Sequence, residues 1–313
     1  MSVVPTPNLV VHADWGSEPR KRWMATAVRK NGSYQAQSPE PVGNAKTLMG
    51  RMRELAGEGG SVLIGFDFPI GVPAAYAERV GVRDFLALLP ELGRGEWADF
   101  YAVAERPDQI GLRRPFYPQR PGGTSMRHLL EALLMNPEDL LRLCDRRDAE
   151  RGAASALFWT MGPKQVGKAA IKGWTEVLVP ALTSGADDVA VWPFDGELSK
   201  LLASDRVVLA ETYPAEFYGH LGVALDGSKR SQRARRGVAG TLLSWARTAK
   251  VDLTPDMESV IEGGFGPSQD GEDPFDATVG LFGMLEVVLG RRLAGEPDDE
   301  KIRKVEGWML GKA

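Results

Sequence analysis

The feature that most constrains this chain is a set of short apolar runs that each close on a carboxylate. Leu9-Val-Val-His-Ala-Asp14, Ser61-Val-Leu-Ile-Gly-Phe-Asp67 and Arg206-Val-Val-Leu-Ala-Glu211 share this form. Valine-rich runs with little alternation predict strands buried on both faces of a parallel sheet. In open α/β sheets, ligands bind beyond the carboxyl ends of the strands. If the three runs are parallel neighbours, Asp14, Asp67 and Glu211 converge at one edge. The chain is therefore expected to be α/β, with its acids where such folds place chemistry.

The segments between the runs fill in the rest. Arg22 to Arg29 alternates and predicts a second strand; Asn31-Gly32 marks a hairpin turn into a short third strand from Tyr34 to Gln37. The apolar spacing from Gly43 to Glu58 is helical and stops at Gly59-Gly60. Strands four and five are then the Ser61 and Arg206 runs. From 72 to 204 the pattern turns helical, with segments at 73–80, 82–89, 126–134, 137–147 and 166–182. A strand pattern resumes afterwards, so 72–204 is expected to be an insertion within one domain spanning 1–313. Helices are expected over 232–249 and 273–293.

The acids suggest a chemistry. Asp273 and Asp276, three residues apart at a helix start, share a face. Like carboxylates packed together raise one another's pKa unless a cation neutralises them. An all-oxygen set without cysteine or histidine suits a hard ion such as Mg²⁺ or Mn²⁺. Plainer readings stand beside this one. Asp273 before Pro274 also reads as a helix N-cap, with Asp276 at the third position of a capping box. Asp14 and Asp67 could each simply end a strand, and Glu211 could pair with a structural arginine.

The segments Asp14-Trp-Gly, Gly65-Phe-Asp-Phe-Pro-Ile-Gly71, Glu211-Thr-Tyr-Pro214, Asp273-Pro-Phe-Asp-Ala277 and Glu306-Gly-Trp308 span nearly the whole chain. Together they resemble the bacterial family described as domain of unknown function 429, whose members are predicted nucleases of the RNase H-like superfamily. Phe116-Tyr-Pro-Gln-Arg-Pro-Gly-Gly123 and Leu157-Phe-Trp-Thr160 resemble an insertion found in one branch of it. The order of acids is similar to that of bacterial Holliday-junction resolvases. The resemblance implies a mixed five-stranded sheet of order 3-2-1-4-5 with strand two antiparallel, and metal-dependent phosphodiester hydrolysis. It implies Asp14, Asp67, Asp276 and Asp273 as metal ligands. Glu211 matches the domain family's own motif as a further ligand or base.

Several features bear on partners. Net charge is −4, so any nucleic-acid contact must come from local basic patches. Ser228 to Arg236 holds five basic residues in nine, including Arg230 and Arg233. Lys164, Lys168 and Lys172 form a helical stripe; both groups are candidate phosphate contacts. Gly162 to Lys168 nearly spells a P-loop, but Ala169 stands where Ser or Thr would hold Mg²⁺. Arg113, Arg114, Arg120 and Arg127, with Phe116 and Tyr117, form a candidate site for a charged or aromatic ligand. No run is apolar enough to span a bilayer, and a cytoplasmic location is expected. Nothing near Cys144, the single cysteine, would activate it. The leading expectation is a metal-dependent nuclease acting on nucleic acid or a nucleotide. The alternatives are a phosphotransferase of the actin and sugar-kinase kind, since Asp14-Trp-Gly-Ser17 resembles their first phosphate loop, and a non-catalytic binding protein.

Overall fold

A computed structural model of the protein describes residues 5–148, 151–162, 166–184 and 188–312. The chain divides into two compact units: 1–67 with 187–296 and 309–313, and 68–186 with 297–308.

The first unit is α/β. Its strands are β1 (Leu9–Asp14), β2 (Trp23–Lys30), β3 (Ser33–Ala36), β4 (Glu40–Pro41), β5 (Val62–Phe66), β6 (Val189–Trp192), β7 (Val207–Glu211) and β8 (Val251–Leu253). They form one mixed sheet in the order β6-β7-β5-β1-β2-β3-β8, with β4 also paired to β2. β1, β5, β7 and β6 run parallel to one another, and β2 is antiparallel to β1, β3 and β4. Every residue of β1, β5 and β7 is buried, which is what their unalternating apolar composition requires.

The sheet is larger than the five strands expected. β4, β6 and β8 have two to four residues each, too few to show a period. β6 also lies within 72–204, which the sequence pattern reads as helical. The helix expected over 232–249 breaks at Val238 into Gln232–Gly237 and Ala239–Ala249.

The helix Glu272–Val288 lies on the sheet and is buried along almost its whole length. Its apolar character on all sides fits two coverings. One side meets β1 and β5, where glycines permit close approach. A Cβ on Gly280 would lie 2.2 Å from the His12 ring, and one on Gly65 would lie 2.5 Å from Met284 Sδ. The other side meets Phe217 at Gly283 and Trp245, whose ring stacks on Phe282 at 4.3 Å.

The second unit is helical, with many short 3-10 turns. Phe85, Phe100, Phe116 and Phe158 pack with Trp174 and Tyr76 in its core. Arg142 is fully buried, forks onto Asp145 at 2.9 and 3.0 Å, and donates to the carbonyls of Ile70 and Glu306. The Glu306 carboxylate accepts from the backbone of Ala74 at 2.8 Å and Leu143 at 2.7 Å. Within this unit Glu306 is therefore a structural clamp. Among the described residues, no helix is long and apolar enough to cross a membrane.

Candidate metal centre

The site is built at the carboxyl ends of β1 and β5. Ala13 pairs with Phe66, so Asp14 and Asp67, one step further, are level on adjacent parallel strands. Side chains alternate faces along a strand. Asp14 thus leaves from the same face as His12, and Asp67 from the same face as Gly65. That face carries the Glu272–Val288 helix, which brings Asp273 and Asp276 to the two strand-end acids.

The four aspartates share one field. Asp14 is buried, and burial followed by the charges of Asp67, Asp276 and Asp273 pushes its pKa well above the ordinary carboxylate range. Asp67 is raised to about 6, chiefly by burial; the Trp15 backbone N–H, which donates to its Oδ1 at 2.6 Å, and a hydrogen bond with Asp14 oppose the rise. Asp273 is also raised to about 6, by burial and then by Glu272 and Asp276. Burial raises Asp276 too, against the opposing effect of Lys229 and Tyr218.

The capping role considered for Asp273 does not hold. The helix begins one residue earlier than expected, with Gly271 as N-cap and Glu272 and Asp273 both in the first turn. An acid there is normally favoured by the helix dipole. Asp273 is instead pushed up, because burial and its acidic neighbours outweigh that dipole.

Glu211 takes a different direction. It pairs with Phe66, not with Asp67. The two-residue period sends its side chain to the sheet face opposite Asp14 and Asp67, the face of Ala13 and Phe66. Thr212 is the β7-end residue on the acids' face. Its N–H donates to the Phe66 carbonyl at 2.8 Å, and its methyl is 2.6 Å from where a Gly65 Cβ would be. Its buried Oγ1 has no hydrogen-bond partner among the described residues.

Three residues that sequence reasoning passed over complete the cluster. Tyr218 donates its hydroxyl to Asp276 Oδ1, and Lys229 donates to Asp276 Oδ2. Lys229 also reaches Glu272 Oε1 at 3.1 Å, and Arg230 reaches Glu272 Oε2 at 3.3 Å. Burial pulls the Lys229 ammonium down, but Asp276 and Glu272 hold it above its usual range. Lys229 lay within the recognised basic stretch; Glu272 adjoins Asp273; no pattern marked Tyr218. Beneath the cluster, burial keeps the His12 ring neutral, with its pKa pushed down to about 3.

The basic stretch divides by role. Arg235 is fully buried and donates to the carbonyls of Gly264, Lys229, Gly266 and Ser268, so it fixes the backbone that carries Lys229. Arg230 and Arg233 are exposed. In the second unit, Arg120 is exposed and Lys168 half-buried on the helix Val166–Gly173. Lys164 lies outside the described residues, and Lys172 pairs with Glu176 at 3.2 Å. Phe116 and Tyr117 are buried and offer no face for base stacking. Arg113 pairs with Glu96 at 2.6 Å and sits 3.5 Å over Trp97; Arg114 donates to the carbonyls of Ala102 and Val103. Arg127 pairs with Glu131 at 2.6 Å. The proposed ligand loop is thus mostly committed to packing.

Comparison with family models, curated proteins and solved structures gives no match.

Proposed function

We propose that this protein is a metal-dependent phosphodiester hydrolase, a nuclease of the RNase H-like kind, with Mg²⁺ or Mn²⁺ bound by Asp14, Asp67, Asp276 and Asp273. The observation that carries this reading is the convergence of these four acids at one sheet edge, with Asp14, Asp67 and Asp273 raised by burial and mutual repulsion. The burial and repulsion at Asp14, Asp67 and Asp273 oppose folding unless a cation offsets them.

The donor set fits the ion. The acids supply only hard oxygen atoms, and the unpartnered Thr212 hydroxyl on the same face is one more. An ammonium already occupies part of the cluster, which shows that positive charge is accommodated there. A divalent ion in such a site supplies Lewis acidity that activates water and offsets charge at a phosphate. Asp14 and Asp67 would hold it on the strand ends, and Asp276 and Asp273 on the helix. Arg230, exposed beside Glu272, would draw the phosphate backbone toward the cluster.

The sheet supports the RNase H-like reading. Within its eight strands the run β3-β2-β1-β5-β7 follows the order that the resemblance implies, with β2 reversed. Glu211, on the opposite face, is left out of the proposed ligand set.

The test is direct. Purified protein with Mn²⁺ is offered DNA, RNA and small nucleotides as separate substrates. Cleavage of at least one class is expected, and Asp14→Asn should abolish it. Equal cleavage by that variant overturns the assignment.

A further inference from the structure

We infer that the centre takes a single divalent ion and that Lys229 supplies the second positive charge; this rests on the metal-site reading above. Two-ion phosphodiesterases need a carboxylate available on each flank of a shared one. Here two of the acids on the helix flank, Asp276 and Glu272, are already taken. Both oxygens of Asp276 are engaged, Oδ1 by the Tyr218 hydroxyl and Oδ2 by the Lys229 ammonium. Glu272, the next acid outward, is engaged by Lys229 at 3.1 Å and Arg230 at 3.3 Å. Among the described residues, the ion pairs of the cluster fall on Asp276 and Glu272, and none falls on Asp14, Asp67 or Asp273. Asp14, Asp67 and Asp273 are therefore the acids left open to an ion, with Asp276 shared between that ion and Lys229.

Lys229 is held as a fixed part of the site. The fully buried Arg235 donates to its carbonyl and to those of Gly264, Gly266 and Ser268, locking the segment before the helix Gln232–Gly237 to a second loop. A lysine tethered at its backbone and bonded to two carboxylates gives a localised +1 charge without the dehydration that Mg²⁺ resists. A second dication would have to displace it and bind beside the first against direct repulsion.

The experiment counts ions. Full-length protein, stripped of metal, is titrated with Mn²⁺ by calorimetry, with bound metal checked by elemental analysis. The wild type should bind one Mn²⁺ per chain. Lys229→Met should bind a second, or bind it at least about tenfold more tightly than the wild type does; Lys229→Arg should keep a count of one. Two ions in the wild type, or a Lys229→Met titration identical to it, overturn the inference while leaving the metal site standing. No ion in any form overturns the metal site itself and the inference with it. If Lys229→Met loses its circular-dichroism signature of folding, the wild-type and Lys229→Arg counts decide the matter.

Discussion

Replacing Asp67 by asparagine tests the strain in the carboxylate cluster directly. Asp67 titrates at about 6 in the folded protein against an ordinary 3.8. Between these values the folded chain binds more protons than the unfolded one. Stability is then fullest below about pH 4 and falls as pH rises through 6. At about 1.4 kcal/mol for each pH unit, the full rise costs ~3 kcal/mol at neutral pH. Solvent reaching the half-buried carboxyl reduces this toward ~1 kcal/mol. Asparagine keeps an oxygen for the Trp15 N–H and removes the charge. Urea unfolding in EDTA, followed by tryptophan fluorescence at about pH 4 and pH 8, measures the effect. Asp67→Asn should match the wild type at the acid end and exceed it by ~1–3 kcal/mol at the alkaline end. Saturating Mn²⁺ should reverse the order, since an ion at one hundred times its Kd adds ~2.7 kcal/mol to the protein that binds it. A variant less stable than the wild type at pH 8 without metal would refute the reasoning.

Other perturbations probe the supports of the site. Gly280→Ala places a Cβ 2.2 Å from the His12 ring and should cost about 3 kcal/mol or more, read as a lowered urea midpoint. Arg235→Met strands four carbonyls and should cost about 3–5 kcal/mol; unchanged stability would remove Arg235 as the anchor of Lys229. Thr212→Val should stabilise the metal-free protein by about 1 kcal/mol, because it deletes a buried hydroxyl without a partner; a loss of stability would show that the hydroxyl is already satisfied.

The central fold was readable because burial on both faces leaves a strong mark. β1, β5 and β7 each appear as an unbroken apolar run, and each closes within a residue of its acid. β2 and β3 were readable from alternation and the Asn31-Gly32 turn. β4, β6 and β8 were not, because two to four residues carry no period and their pairing is settled by neighbours distant in sequence. β6 in particular follows a long helical stretch, and its Val-Ala-Val-Trp resembles any buried segment.

The site shows where counting acids falls short of placing them. Asp14, Asp67 and Glu211 look equivalent in sequence, each an acid closing an apolar run. Whether three such acids meet depends on register, and register is a property of the paired strands. β1 and β5 are aligned so that their acids are level, whereas β7 is offset by one residue, which places Thr212 rather than Glu211 beside Asp67. One residue of offset is enough to reverse the face. The same logic explains why Lys229 escaped notice. As part of a basic stretch it looked like one solvated charge among five, yet the buried Arg235 six residues later fixes its backbone where the helix presents Asp276. Charge that a sequence shows as a patch is divided by the fold into an anchor, a counter-ion and exposed arginines. The first two can be told apart only after the loop at 264–268 closes over Arg235.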